Sequence, residues 1–214
     1  MNMLGLAFQA ASDQFIMMSM AQVLQIPIAR PIFEREVGNR MYSPTAYYLS
    51  HVAACLCIFF IYPCFTSMIS YWYFGMNVTD WAGLFDWMFC LALPALAGAL
   101  WGFSFGTFFH NELNALQGNL VFILMFNLGA GHTTNLGKSA NLFAKFISTV
   151  SPVRYATEML MYRILSGSAA EKVILLNLGY TTGNSNCMAA FAIITVILFS
   201  VGWINLVHKN RLNY

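Results

Sequence analysis

Few residues in this chain can do chemistry, and they stand in unusual places. Charged side chains make up 8% of the 214 residues, yet Asp13 sits in the middle of a long apolar run, with Gln14 beside it and Met17 one helical turn on. An ionisable group at that depth is costly and normally faces a bundle interior or a wet cavity. These residues therefore read as the lining of a polar pocket, as a contact from Asp13 to another helix, or as part of a segment that starts too shallow in the membrane for the cost to matter. A second polar tip, Asn127, shares a helical face with Leu120 and Leu124. A polar tip on an apolar stripe suits an amphipathic ligand, and an interhelical hydrogen bond accounts for it equally well. The third concentration is ionic: Arg30, Glu34, Arg35, Glu36 and Arg40 crowd into one short stretch between two apolar runs.

Other patterns look like chemistry and are not. "GHTTNLGKS", Gly131 to Ser139, resembles a phosphate-binding loop, but the motif needs glycine where His132 stands. "LSGSA", Leu165 to Ala169, departs from a nucleotide-contact motif at its last two letters. His51, His110, His132 and His208 have no metal-ligand spacing with Cys, Asp or Glu, so no metal site is expected. No Ser/His/Asp set is present, so no catalytic residue is assigned and the chain is not expected to be an enzyme. A net charge of +2 without a basic, aromatic-interleaved stripe excludes nucleic acid as a partner. Asn77 formally matches a glycosylation acceptor, but it lies in a very short turn, and its use is not expected. Cys55, Cys57, Cys64 and Cys90 fall in apolar runs and act as small hydrophobes, while Cys187 falls at an expected membrane edge, as a free thiol or a bridge to a partner. With no basic residue before Arg30, the start of the sequence does not read as a cleaved signal peptide.

The elements that must position these residues follow from the composition. Apolar residues are 59% and aromatics 16%, more apolar surface than a core of this size can hide, so the chain belongs in lipid. A spanning helix needs about 20 mostly apolar residues. Five stretches qualify, residues 3–26, 45–74, 84–109, 113–130 and 188–207, which predicts an all-α polytopic membrane protein of one domain. The second is long enough to tilt or to kink at Pro63. Tyr42, Tyr47, Tyr48, Trp72, Tyr73, Trp81, Trp87 and Trp203 cluster near the span ends, as interfacial aromatics do. Lysine and arginine are densest in the short stretch 30–44 and at the C-terminus, which places both in the cytosol and the long 131–187 segment outside. Gly98, Gly102 and Gly106 recur every fourth residue and predict a face where two helix backbones meet closely. Within 131–187, Ser151 can cap a helix with Pro152 at its first position. Val153, Ala156, Met159, Leu160 and Ile164 then share one face, with Arg154, Glu158 and Arg163 elsewhere, which predicts an amphipathic helix on, or dipping into, the membrane surface.

Two segments carry a resemblance. "RPIFEREVGNRMYSPTAYYLS", from Arg30, resembles the segment between the second and third transmembrane helices of G-type ABC transporters, the White and pleiotropic-drug-resistance group with the ABC-2 membrane fold. Arg30 to Phe33, Arg35-Glu36, Met41-Tyr42-Ser43 and Tyr47-Tyr48 carry the match. "SPVRYATEML", from Ser151, is similar to an element preceding that family's last helix, and Gly131 falls where its fifth helix ends. The resemblance implies that Glu34, Arg35, Glu36 and Arg40 form a cytosolic coupling helix resting on an ATPase domain. It implies a substrate cavity lined by Asp13, Gln14, Met17, Leu120, Leu124 and Asn127, and external re-entrant helices over Ser151 to Leu165. Compared with the family's six spans and N-terminal ATPase domain, five spans and no ATPase domain are expected on this sequence.

The reading that follows is a membrane subunit of an ABC-type exporter for a lipid, sterol or other amphipathic molecule. It would pair with a second membrane subunit, the same or different, amid membrane lipids, with ATP and Mg on a partner ATPase and no cofactor of its own. The alternative is a structural or assembly subunit that keeps the fold without transporting.

Overall fold

The computed structural model describes residues 2–73, 81–131, 141–165, 175, 179–180 and 183–211. Among them the regular elements are eight helices: α1 (Asn2–Val23), α2 (Gln25–Gly38), α3 (Pro44–Tyr73), α4 (Trp81–Phe108), α5 (Glu112–Gly129), α6 (Leu142–Val150), α7 (Pro152–Leu165) and α8 (Asn184–Arg211). The chain is an all-α membrane protein. Among the described residues, three helical stretches are long and apolar enough to cross a bilayer: Gly5–Gly38 through α1 and α2, Trp81–Phe108, and Ser185–His208. Their neighbours α3 and α5, of 30 and 18 residues, cover the other two predicted stretches. Asn77, most of Gly131 to Ser139 and the "GSA" of the Leu165 segment lie outside the described residues.

The first predicted span runs further than its apolar pattern. α1 gives way to α2 at Leu24, and the cause is local: Pro27 has no N–H for the Val23 carbonyl. The helix resumes at once, with the Ile28 N–H on the Leu24 carbonyl at 3.2 Å. The first part of the 30–44 stretch is thus helical to Gly38 as a continuation of the first span, and Arg30 is buried. The α5 end is set by glycine. Gly131, at φ 89°, takes the left-handed conformation that favours a residue without Cβ just past a helix end.

α4 is the central helix, packing against α1, α3, α5, α7 and α8. Its glycine face lies on the backbone of α1. A Cβ at Gly98 or Gly102 would collide with the carbonyl oxygens of Phe15 and Ser19, and one at Gly106 would lie 2.7 Å from that of Val23. Phe15, Ser19 and Val23 repeat every fourth residue as the glycines do, so the two backbones run in register. At one end of the bundle Arg30 Nη2 donates to the Thr107 carbonyl (2.9 Å) and Asn205 Nδ2 donates to Thr107 Oγ1 (2.7 Å). This joins α2, the end of α4 and the end of α8. At the opposite end Arg163 of α7 pairs with Asp86 of α4 at 2.8 Å.

α7 is more enclosed than a helix lying on the membrane surface would be, closer to the second placement its pattern predicts. It packs against α1, α4, α5 and α8, and Glu158, expected off the apolar face, is fully buried, as is Thr157. Hydroxyls on and beside it find carbonyl acceptors. Ser151 Oγ donates to the Phe126 carbonyl (2.9 Å), Thr157 Oγ1 to the Arg154 carbonyl (2.8 Å), and Tyr180 OH to the Ala130 carbonyl (2.6 Å). Cys187, expected at a membrane edge, is buried in the same core. The outer surfaces are apolar: Ile61, Phe65 and Met68 on α3, Leu142 and Phe143 on α6, and Ile193 and Val196 on α8 are exposed, as lipid-facing side chains would be.

Candidate functional site

A cavity of about 300 Å³ opens between α1 and α3, with Leu91 of α4 at its floor. Leu6 and Ala10 line the α1 side and Tyr62, Ile69 and Tyr73 the α3 side, and a narrow polar strip of Gln9, Asp13, Gln14, Thr66 and Ser70 crosses it. The strip is ordered by local bonds. Gln9 Nε2 donates to Asp13 Oδ1 at 2.7 Å, one helical turn away, and Asp13 is half-buried. Gln14 is 2% exposed, and its Nε2 donates to Thr66 Oγ1 at 2.6 Å across the helix pair. Thr66 in turn donates to its own helix, at the Tyr62 carbonyl (3.0 Å). The threonine proton is therefore committed, the Gln14 amide must be the donor, and Gln14 Oε1 remains a buried acceptor without a partner.

The predicted cavity residues divide. Asp13 and Gln14 line this pocket, but the wall facing them is α3 rather than α5. Met17 is exposed on the outside of α1, and Leu120 and Leu124 are exposed on α5. Asn127 is half-buried, with its Oδ1 enclosed and without a partner. The polar link between α1 and α5 is Asn119 instead, a fully buried residue that the sequence reading passed over. Its Oδ1 accepts from Ser19 Oγ (3.1 Å) and from Trp101 Nε1 (2.9 Å), tying α1, α4 and α5 together. The signal was present, because an amide inside an expected span is as costly at position 119 as at 127. Gln9, one turn before Asp13, was legible in the same way.

A family model described as ABC-2 type transporter matches residues 1–165, a span that takes in α1 to α7. The chain belongs to the ABC-2 type transporter family. No curated protein matches it. Membership indicates the transmembrane part of an ABC-type transporter and implies association with an ABC ATPase partner.

In this ABC-2 domain the charged cluster forms one end of the bundle. Arg35 and Arg40 are exposed, while Glu34 and Glu36 are half-buried along α2. Glu36 Oε2 accepts from Tyr42 OH at 2.7 Å, which folds the turn after α2 back on that helix, and Arg40 completes the turn at φ 58°. Burial, with the Glu36 carboxylate adding to it, pushes the Tyr42 phenol up to about 12. Phe33 packs tilted against Tyr47 with ring centroids 4.5 Å apart, and His51 stacks on Phe103 at 4.5 Å. An aromatic column thus joins the ionic end to α3 and α4.

Proposed function

We propose that the chain is the membrane-spanning subunit of a G-type ABC exporter moving a lipid, sterol or other amphipathic molecule. The observation that carries this reading is the α1–α3 cavity: apolar and aromatic walls with one polar strip, at the size where small-ligand sites begin. ATP and Mg would bind on a partner ATPase, and this chain does no chemistry. Its contribution is a cavity with two states whose balance the partner's nucleotide state shifts. The exposed pair Arg35 and Arg40, beside Glu34 and Glu36, suits salt-bridge and capping contacts to that partner, on the cytosolic face. The exposed apolar side chains of Met17, Leu120 and Leu124 suit a second membrane subunit, which would enclose a shared path with Asn127. Five crossings, with α7 entering from outside, fit the helix lengths.

The test is to purify the full chain gently and identify what accompanies it. An ABC ATPase in the preparation is expected, with activity that amphipathic compounds stimulate and that Asp13→Ala alters. A large complex without any ATPase would instead favour a structural subunit that keeps the fold.

A further inference from the structure

We propose that the α1–α3 cavity selects amphipathic molecules carrying a protonated amine. This deepens the transport reading and rests on it for the fate of the ligand. The argument is a census of what the pocket can offer. Thr66 has its proton on the Tyr62 carbonyl and accepts from Gln14 Nε2. Ser70 has its proton on the Ser67 carbonyl (3.1 Å) and accepts from Trp87 Nε1 (2.9 Å). Both hydroxyl protons are committed. Gln9 has one of its two amide N–H groups on Asp13 Oδ1. Beside the second N–H of Gln9, the capacity left in the strip is therefore accepting, chiefly the second carboxylate oxygen of Asp13 and the orphaned Gln14 Oε1, one residue apart on α1.

Two acceptors, one of them ionic, match a group with several N–H donors and a positive charge. The Tyr62 and Tyr73 rings at the wall can present π faces to the same cation. No lysine or arginine lines the cavity among the described residues, so a ligand bearing phosphate or carboxylate would face Asp13 without compensation. Leu6, Ile69 and Leu91 provide the surface for a hydrocarbon or ring body. An enclosed amide oxygen without a partner is destabilising, and a donor brought by the ligand would relieve it.

The experiment uses a matched pair of diazirine-bearing probes, hexadecylamine and hexadecanol, with the full chain in phosphatidylcholine nanodiscs. No ATPase is needed, so the result does not depend on transport. The expected result is labelling of α1 and α3 peptides by the amine at roughly a tenth of the alcohol concentration, with Asp13→Asn removing that preference and leaving alcohol labelling in place. Gln14→Leu should weaken labelling by both probes, because each brings a donor to the same oxygen. Equal labelling by the two probes, labelling outside α1 and α3, or an amine preference that survives Asp13→Asn would each overturn the proposal. Amine-selective labelling without any stimulated ATPase activity in the assembled complex would leave the site standing and remove the transport reading.

Discussion

At the residue scale, the chain places its polar side chains where each decides something local. Tyr42 and Glu36 set the turn that follows α2. The phenol is held neutral in the folded state, above its ordinary value of 10.0 and up to about 12. The contact is therefore complete below pH 10 and is lost as pH climbs towards 12. Tyr42→Phe should lower stability by about 1 kcal/mol at neutral pH, the worth of one hydrogen bond. Thermal melts should show the gap to the unmodified protein closing across that alkaline window, and a gap that stays constant would show that the hydrogen bond is not its source. Residue-level chemistry was partly legible in the sequence. An acid or amide inside an apolar run announces itself, as Asp13 and Gln14 do. The identity of its partner does not, since Thr66 lies 52 residues from Gln14 and only the folded helix pairing brings them to 2.6 Å.

At the scale of elements, spacing was the better guide. The repeat of Gly98, Gly102 and Gly106 marks a face without Cβ atoms, and the structure sets that face on the α1 backbone. Gly102→Ala must push two backbones apart, because its methyl meets the Ser19 carbonyl group rather than a movable side chain. A loss of about 1–3 kcal/mol is expected, as for overpacked cores. Gly118→Ala is the matching control, since its methyl would meet the Phe105 ring edge at 3.0 Å and the Phe109 ring at 3.4 Å, side chains rather than backbone. Melting of the two variants in detergent should separate them clearly, and equal melting would remove the seam from the account of stability. α7 shows where periodicity stops. Its one-faced apolar pattern is real, but four other helices pack on it and bury Thr157 and Glu158 as well. The Thr157 hydroxyl offsets part of that burial on the Arg154 carbonyl.

For the whole molecule, hydropathy pointed to the class, and the density of lysine and arginine to the shared end of α2 and α8. Hydropathy left open the order in which helices pack, because apolar faces are interchangeable in lipid. The ends of the bundle are nevertheless fixed by polar contacts, with Arg30, Thr107 and Asn205 at one end and Asp86 with Arg163 at the other. Single cysteines at Glu36 and His208 should therefore react with an impermeant thiol reagent from the same side of the membrane, and one at Arg163 from the opposite side. Reaction of Glu36 and His208 from opposite sides would refute this arrangement.

The register of α1 on α4 has a last consequence. Two backbones in direct contact leave no room to slide, so Asp13 and Gln14 are mounted on a stiff mast. α3 meets α1 much more sparsely and forms the yielding side of the cleft. A cleft built this way is strict about the headgroup and lenient about the tail: chain length and ring number can vary as α3 gives way, while the position demanded of the cationic nitrogen stays fixed.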